Sequence, residues 1–539
     1  MKNRRQFLQG LGTASLAAAS LGSSPGCALG VVGGSASLSE LSVAEIQRRM
    51  DDGSLTAERL TRHCLRRIDR IDRQGPRLNA VLEVNPDAVA LARALDEERR
   101  TKGPRGPLHG VPVLIKDNID TGDRMQTTAG SLALAGSIAP RDAFIVARLR
   151  AAGAVVLGKA NLSEWANFRG QRSISGWSGR GGLTRNPHML DRSASGSSSG
   201  SGAAVAAGLC TVAIGTETDG SIVSPASSCG IVGLKPTVGL LSRSGIIPIS
   251  ASQDTAGPMA RTVADAAALL SAMTGIDPSD PASASSNRTL AGQDFTRFLD
   301  PGALQGARLG VARNFFKWHT RIDALMEKTL GILRAQGAEL VDVADLPGHS
   351  KLGDAEYEVM LHEFKAGLNA YLASLGDRAP VKSLEEVIAF NERNADRELK
   401  FFGQETLIEA QAKGPLTEPR YLEALERCRK WSRQDGIDRV MERDRLDALV
   451  APTAGPAPAI ELLEGDGGLG GSSTHAAVAG YPSITVPAGM IFGLPVGLSF
   501  FGRAWSEGRL IGLAHAFETA AQARRTPRFL PSFDERMDG

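Results

Sequence analysis

Two serine-rich segments carry the residue types from which a hydrolytic site could be built. Residues 193–208 read SASGSSSGSGAAVAAG, and residues 215–230 read GTETDGSIVSPASSCG, in which Ser221 follows Asp219 and Gly220. A serine hydroxyl is a poor nucleophile unless a neighbouring group takes its proton. The chemistry that these segments could perform is therefore acyl transfer, and the open question is which side chain acts as the base.

Histidine, the usual base, is scarce around Ser221, because His188 is the only histidine within 80 residues on either side. A lysine can serve instead when burial disfavours its charged form and lowers its pKa. Three lysines follow apolar runs and are candidates for burial: Lys116, Lys159 and Lys235. The chain alone does not choose among them, since each can also be a strand-end lysine that reaches solvent.

Residues 193–208 also fit other interpretations, of which a flexible Gly/Ser linker is the plainest. Phosphate binding is not supported, because no P-loop lysine follows the glycines and Val205 stands where a dinucleotide fingerprint needs glycine. Gly196 to Gly200 matches G-x-S-x-G, which would make Ser198 the nucleophile of an elbow. The preceding TRNPHMLDRSAS is loop-like, however, and the elbow motif follows an apolar strand.

The composition is that of an ordinary globular protein and argues against nucleic-acid binding, a membrane span and a disulfide framework. The chain has 539 residues, of which 42% are hydrophobic and 22% charged, with a net charge of +2. This charge gives no basis for nucleic-acid binding, and no apolar run approaches the ~18 residues of a membrane helix. Five cysteines without a CxxC pair do not form a disulfide framework. HEFKA at His362 lacks the second histidine of HExxH, so we expect no metal and no cofactor.

The first residues predict an export signal. MKNRRQFLQG places Arg4 and Arg5 before the small, apolar stretch GLGTASLAAASLG, as in a twin-arginine leader. We expect residues 1–37 to be a leader and the protein to be exported to the periplasm, with a basic disordered N-terminus as the alternative.

Processing of this leader is left open by the sequence. Cleavage after Ala28 or after Ser37 is compatible with the residues present. Cys27 could carry a lipid anchor, but the Ser-Pro-Gly that precedes it makes a poor lipidation motif.

Beyond the leader, the pattern predicts one α/β domain over residues 38–539. Residues 38–100 have helical periodicity, whereas residues 101–275 alternate β-branched apolar stretches with helical ones, which indicates parallel strand pairing. Residues 318–445 are predicted to be mainly helical. Strand-like segments return after them, and we expect these late strands to join the earlier sheet.

Three motifs in fixed order, LHGVPVLIKDNI, GSSSGSGAAVAAG and GTETDGSIVSPASSCGIVGLKPT, resemble the amidase signature family of Ser-cisSer-Lys hydrolases. The likeness runs from about residue 40 to 525 and includes LVAPTAG, AGYPSITVPAG and GLPVGLSFFG. It implies a single large domain with a mixed, twisted sheet covered by helices on both faces, and a catalytic core at residues 101–275. NLSEWANFRG, ISGWSGRGG and GTETDGSIV are most similar to peptide amidases, which remove the C-terminal amide from peptides.

The resemblance implies roles for three side chains. Ser221 becomes the nucleophile, Lys116 the buried base, and Ser197 the bridging serine that follows a cis peptide bond. Ser198 and Ser199 stay open as alternative relays, and the serines could also cap the helix that follows them.

The resemblance also implies an oxyanion hole made of backbone N–H groups, each of which is typically worth ~10²–10³ in rate. The residues implied are Thr218, Asp219, Gly220 and Ser221. Many family members read Asp-Thr-Gly-Gly-Ser-Ile-Arg here, whereas this chain has Asp219 in place of a glycine and Val223 in place of the arginine. We expect these changes to alter the wall and charge of the pocket rather than the proton relay.

The expected function is hydrolysis of a carboxamide, with a small-molecule or peptide amide as substrate and no nucleic acid or integral membrane span. Ammonia release from peptide C-terminal amides is the first hypothesis. The alternatives are the glutaminase (A) subunit of a tRNA-dependent amidotransferase, an aryl or fatty acylamidase, and a non-catalytic binding protein on the same scaffold. The sequence does not decide between a monomer and a homo-oligomer.

Overall fold

The computed structural model describes residues 37–284, 289–343 and 346–533. The leader expected over residues 1–37, including Cys27 and the cleavage point after Ala28, lies outside these ranges except for Ser37 and stays a prediction. From Ser37 onward the chain forms one compact unit. Among the described residues, no helix is both long and apolar enough to cross a membrane.

The strands are short and mostly buried. They are β1 (Val81–Val84), β2 (Pro112–Lys116), β3 (Val155–Ala160), β4 (Trp177–Ser178), β5 (Gly182–Leu183), β6 (Val212–Glu217), β7 (Val232–Lys235), β8 (Thr255–Ala260), β9 (Arg308–Ala312), β10 (Glu339–Val343), β11 (Ala448–Pro452), β12 (Ser483–Ile491) and β13 (Leu494–Phe501).

Eleven of these strands, within the described ranges, form one mixed sheet in the order β1-β3-β2-β6-β8-β7-β12-β13-β11-β9-β10, and β4 pairs with β5 separately. Strands β3, β2 and β6 run parallel, as do β10, β9 and β11, while the other pairs of the large sheet are antiparallel. The late strands β11, β12 and β13 therefore do complete the sheet begun by β2, as the sequence predicts.

Helices cover both faces of this sheet, and α5 packs against α6 while α7 packs against α17. The helices are α1 (Val43–Asp51), α2 (Ala57–Arg67), α3 (Ala88–Lys102), α4 (Phe144–Ala151), α5 (Ser199–Ala206), α6 (Val223–Cys229), α7 (Val263–Met273), α8 (Pro281–Ala284), α9 (Thr320–Ala335), α10 (His349–Ser374), α11 (Leu384–Arg393), α12 (Ala395–Glu398), α13 (Glu405–Gln411), α14 (Pro419–Arg429), α15 (Asp438–Arg443), α16 (Thr474–Ala479) and α17 (Glu507–Ala521).

Both edges of the sheet are strands that the sequence pattern missed. Strand β1 lies in the segment expected to be helical, residues 38–100, and β10 lies in the mainly helical segment 318–445. Only one residue of each strand is buried. An edge strand that is exposed to water in this way lacks the continuous apolar run from which the central strands can be predicted.

The central strands bring the candidate residues together. All residues of β2 and β6 are buried, and the two strands run parallel with Ile115 opposite Ile214. Because parallel strands end at the same edge of a sheet, Lys116 at the end of β2 lies beside the end of β6 and the turn that leads to Ser221.

A glycine of the serine tract explains how α5 comes so close to the sheet. A Cβ atom at Gly200 would clash with the carbonyl oxygen of Asn161, which follows β3. A side chain there would push the start of α5 away from the strands. The glycines at this point therefore serve packing rather than the flexibility of a linker.

Candidate active site

Lys116 ends β2 with a fully buried side chain. Its Nζ lies 2.7 Å from Ser197 Oγ, 2.9 Å from Thr216 Oγ1 and 3.1 Å from the carbonyl oxygen of Thr216. Asn118 Nδ2 donates a hydrogen bond to the same Thr216 hydroxyl, at 3.0 Å. The amine is therefore hydrogen-bonded to uncharged groups at a fixed position next to Ser197.

Burial is the dominant influence on this lysine. It lowers the pKa of Lys116 from 10.5 to about 7, although the charges of Glu217 and Asp254 act in the opposite direction. A neutral amine keeps two N–H donors, which fit the two Thr216 acceptors, and gains a lone pair. That lone pair can accept the proton of the Ser197 hydroxyl, which is the arrangement that a base requires.

Ser197 lies at the centre of the serine tract. The peptide bond between Gly196 and Ser197 is cis, and the Ser197 side chain is fully buried. The Ser197 carbonyl accepts a hydrogen bond from the Ser163 N–H at 3.0 Å. These contacts and the one to Lys116 hold Ser197 from both its backbone and its side chain.

The neighbouring serines have other partners. Ser198 Oγ donates to the Thr216 carbonyl (3.1 Å) and accepts from the Thr216 N–H (3.2 Å), while Ser199 Oγ donates to the Ser195 carbonyl (2.5 Å). Ser198 is also the N-cap of α5, but its side chain makes no capping hydrogen bond. Of the three serines considered as a relay, Ser197 is the one whose hydroxyl contacts Lys116, so Ser198 and Ser199 no longer compete for that position.

Ser221 stands between β6 and α6, after a turn that needs Gly220 at φ +75°. The carboxylate of Glu217, at the end of β6, accepts hydrogen bonds from the N–H groups of Ile222 (2.7 Å) and Val223 (3.1 Å). The Ser221 carbonyl accepts a hydrogen bond from the Ser198 N–H at 3.2 Å. The segment that carries Ser221 is therefore tied both to β6 and to the serine tract.

A cavity of ≈ 280 Å³ opens at this point, lined by the predicted oxyanion segment Thr218, Asp219, Gly220 and Ser221. Gly196, which precedes Ser197, lies in the same wall. Asn167, Phe168, Ile249 and Met360 also line the cavity. All the residues assigned from the family resemblance thus belong to one cavity or to the hydrogen-bonded layer next to it.

The two other candidate lysines do not contact the serine tract in the described ranges. Lys159 Nζ donates to the Ile119 carbonyl (2.6 Å) and to Thr127 Oγ1 (2.9 Å), and Lys235 Nζ donates to the Pro236 carbonyl (3.2 Å).

His188 has a backbone partner rather than a serine of the tract. Its Nε2 hydrogen-bonds the Cys229 carbonyl at 3.1 Å, and burial lowers its pKa to about 4. Among the candidates that the sequence left open, Lys116 is the one that the fold places against a serine.

Several supporting residues escaped the sequence analysis. Thr218 Oγ1 donates to Asp254 (2.6 Å), and Gln253 Nε2 donates both to the Thr218 carbonyl (3.2 Å) and to Glu356 of α10 (2.8 Å). These residues fix the turn before Ser221 from remote parts of the chain, so no local motif could reveal them. Thr216 offered a signal, because it lies within the GTET motif.

Asp219, which replaces a glycine of the common family pattern, lines the cavity and accepts a hydrogen bond from Thr474 Oγ1 at 2.8 Å. Val223, which replaces an arginine, is buried at the start of α6. The acidic side chain is therefore part of the pocket wall. Within the part of the chain that the structure describes, no group of three or more His, Cys, Asp or Glu side chains is arranged to hold a metal.

Comparison with known proteins agrees with this architecture. The family model described as Amidase matches residues 59–511. The structure of the native peptide amidase from Stenotrophomonas maltophilia superimposes with a TM-score of 0.87 and 53% identity, covering 91% of this chain and 99% of that one. A probable amidase of Arabidopsis thaliana is 42% identical over 92% of both chains. The glutamyl-tRNA(Gln) amidotransferase A subunit of Chloroflexus aurantiacus is 35% identical over 89% of this chain and 96% of its own. The chain belongs to the amidase signature family and is a hydrolase of amide C–N bonds.

Proposed function

We propose that this amidase releases ammonia from peptide C-terminal amides through an acyl-enzyme on Ser221, with Ser197 as the relay and Lys116 as the base. The observation that carries the proposal is the buried Lys116 Nζ, 2.7 Å from Ser197 Oγ and with a pKa lowered to about 7. A lysine with a pKa near 7 is about half neutral at neutral pH, and the neutral form can accept a proton.

Acylation begins when neutral Lys116 takes the proton of Ser197 and Ser197 takes the proton of Ser221. The Ser221 oxygen then forms a bond to the amide carbon, and the carbonyl π electrons move to its oxygen. The negative charge on that oxygen meets the backbone N–H groups that the family resemblance assigns to residues 218–221. Supporting this, the four residues line one cavity and the turn that contains them is braced by Gln253 and Asp254.

Collapse of this intermediate breaks the C–N bond. The proton held by Lys116 returns through Ser197 to the leaving nitrogen, so ammonia departs and the acyl group stays on Ser221. A water molecule then loses its proton to the same relay and attacks the ester, which frees the carboxylic acid and restores the Ser221 hydroxyl. The cycle consumes one amide and one water and produces one acid and one ammonia.

The choice of peptide amides is supported by the similarity to a peptide amidase, which at 53% identity exceeds the 35% identity to the amidotransferase protein. Glutamine hydrolysis is the competing outcome. The two functions differ in substrate. They differ also in that a glutaminase subunit needs a partner chain to receive the ammonia, whereas a peptide amidase does not.

The test is ammonia release by the purified chain from a panel of substrates: peptide amides, amino-acid amides, aryl acylamides, fatty amides and glutamine. We expect peptide amides to give the highest kcat/KM and Ser221→Ala to lower it by about 10⁴-fold or more. Ser201→Ala is the matched control, because this buried serine donates only to the Ile214 carbonyl in the described structure (2.9 Å). Turnover of glutamine alone, or full activity of Ser221→Ala, would refute the proposal.

A further inference from the structure

The cavity at Ser221 continues into two more spaces along the protein surface. A second cavity of ≈ 140 Å³ shares Ser195 and Ser224 with it. A third, a groove of ≈ 450 Å³, shares Gly468 and Leu469 with the second. Because neighbouring spaces share wall residues, the three lie in a row that leads away from Ser221, called the path below.

The middle cavity of this path, called the polar cavity below for its serines and Asp466, also has apolar residues in its wall, Ala454 and Pro456 among them. Hydroxyl groups of Ser175, Ser193 and Ser228 line it, together with the carboxylate of Asp466. Both carboxylate oxygens of Asp466 accept a hydrogen bond from the Ser175 N–H at 2.9 Å, which holds the loop of residues 454–471 against the serine-rich wall. Ser193 Oγ accepts from the Ser195 N–H at 3.0 Å, and its own proton can be donated to a carbonyl group of a ligand, which a peptide supplies and a hydrocarbon chain lacks.

The outer groove is apolar. Leu469 and Phe533 are two of the few large apolar side chains that are exposed in the described structure, at 42% and 39%. Phe533 packs edge-on against Phe492, with ring centroids 5.3 Å apart, and Ile491 and Leu494 complete the floor. Exposed apolar side chains gathered in a concave surface are typical of a binding site.

The chemistry of the reaction determines which part of a substrate could occupy the path. Ammonia is the leaving group in the proposed function, so every other atom of the substrate lies on the acyl side of the broken bond. The first cavity alone, at ≈ 280 Å³, is small for a drug-sized ligand, whose pockets span ~300–1,000 Å³. A longer acyl part therefore has to extend into a neighbouring space. A cavity of ≈ 200 Å³ that shares Ala166, Thr218 and Ile249 with the first is one such space, and the polar cavity is another; of the two, the polar cavity adjoins the apolar groove.

We infer that the substrate is an oligopeptide amide whose backbone crosses the polar cavity and whose apolar side chain, remote from the amide, binds in the groove of Leu469, Phe492 and Phe533. This inference rests on the proposed function. The inference adds a distal specificity site to that function. In this site an apolar side chain of the substrate covers Leu469 and Phe533 and shields them from water. The polar middle section selects a peptide over a fatty acyl chain of the same length.

Gly468 offers a direct way to close the path. It lines both the polar cavity and the groove, and a Cβ atom built on it meets nothing within 4 Å. A phenylalanine at this position would therefore enter the passage without a clash at its first atom. Leu463→Phe is the matched control, since Leu463 belongs to the same loop, is 80% exposed and lines none of the three spaces.

The experiment measures kcat/KM for peptide amides of one to five residues that share the same C-terminal residue and carry leucine at the far end. For the wild type we expect a rise of about tenfold when the leucine reaches the groove, the gain expected from burying one such side chain. Gly468→Phe and Leu469→Ser should abolish the rise but keep the turnover of the single amino-acid amide within about twofold. Leu463→Phe should behave as the wild type.

Retained turnover of the shortest amide also shows that each variant is folded. A wild type indifferent to length, or a Gly468→Phe variant that slows all amides equally, would overturn the distal site while leaving the proposed function intact. Hydrolysis of no peptide amide at all would instead refute the proposed function.

Discussion

Lys116 and Lys159 lie near the ends of neighbouring parallel strands, β2 and β3, and both side chains are fully buried. Burial lowers the pKa of each. They differ by one residue in register, because Lys159 lies opposite Ile115 and Lys116 lies opposite Ala160. Since successive side chains of a strand point to opposite faces, the two lysines project from opposite faces of the sheet.

The two lysines contact different groups on the two faces of the sheet. On its face Lys116 meets the hydroxyls of Ser197 and Thr216. On the other face Lys159 donates to the Ile119 carbonyl (2.6 Å) and to the Thr127 hydroxyl (2.9 Å), neither of which belongs to the serine tract. Burial can therefore lower the pKa of any lysine, but the groups within hydrogen-bonding distance decide whether the lysine is placed to act as a base or as a structural hydrogen-bond donor.

The largest effect is expected from Lys116→Met. Without the amine, no group takes the proton of Ser197, and kcat/KM for peptide amides should fall by ~10²–10⁴-fold. Because the two Thr216 acceptors keep other donors, Asn118 Nδ2 and Ser198 Oγ, the thermal midpoint of unfolding should change little. Ammonia release and a thermal melt on the same preparation check both expectations. Near-normal turnover in this variant, with loss on replacing His188, would favour the nucleophile-elbow alternative.

Lys159→Met should show the reverse behaviour. It removes the buried donor to the Ile119 carbonyl and the Thr127 hydroxyl, and a buried acceptor left without its donor typically costs about 1–3 kcal/mol. We expect a clearly lower midpoint in urea-induced unfolding, with kcat/KM per folded molecule within a few-fold of the wild type. A loss of turnover as deep as that of Lys116→Met, in protein that remains folded, would contradict the distinction between the two lysines.

The dependence of activity on pH should give a graded effect rather than a complete loss. Only the neutral form of Lys116 can accept a proton, so kcat/KM should rise with pH through about 7 and fall about tenfold per unit below it. Glu217 and Asp254 are the charged groups that act on this lysine. The residual activity of Lys116→Met should lose this acid limb, and an unchanged limb in the variant would assign it to another group.

The parts of the site that are local in the chain were predictable. The motifs around Lys116, Ser197 and Ser221 are contiguous, and the apolar central strands beside them have a clear pattern. Choosing Lys116 from the residues alone was not possible, because the choice depends on which face of the sheet the serine tract covers.

Other features depend on distant parts of the chain and had no local signal. The brace of Gln253 and Glu356 joins the turn before Ser221 to helix α10, more than 100 residues away along the chain. Strands β1 and β10 were missed because hydrogen bonds to a single neighbour, rather than an apolar pattern, make them strands.

The structure of the serine tract shows that a Gly/Ser-rich composition does not identify a flexible segment in this chain. Its hydroxyls at Ser198 and Ser201 are bonded to the backbone of β6, and Gly200 presses against Asn161. By composition the tract resembles a flexible linker into which a tag could be inserted or which a protease could cleave. In the structure it is instead packed and hydrogen-bonded as part of the central scaffold. Lengthening it by even one residue would shift Ser197 relative to Lys116.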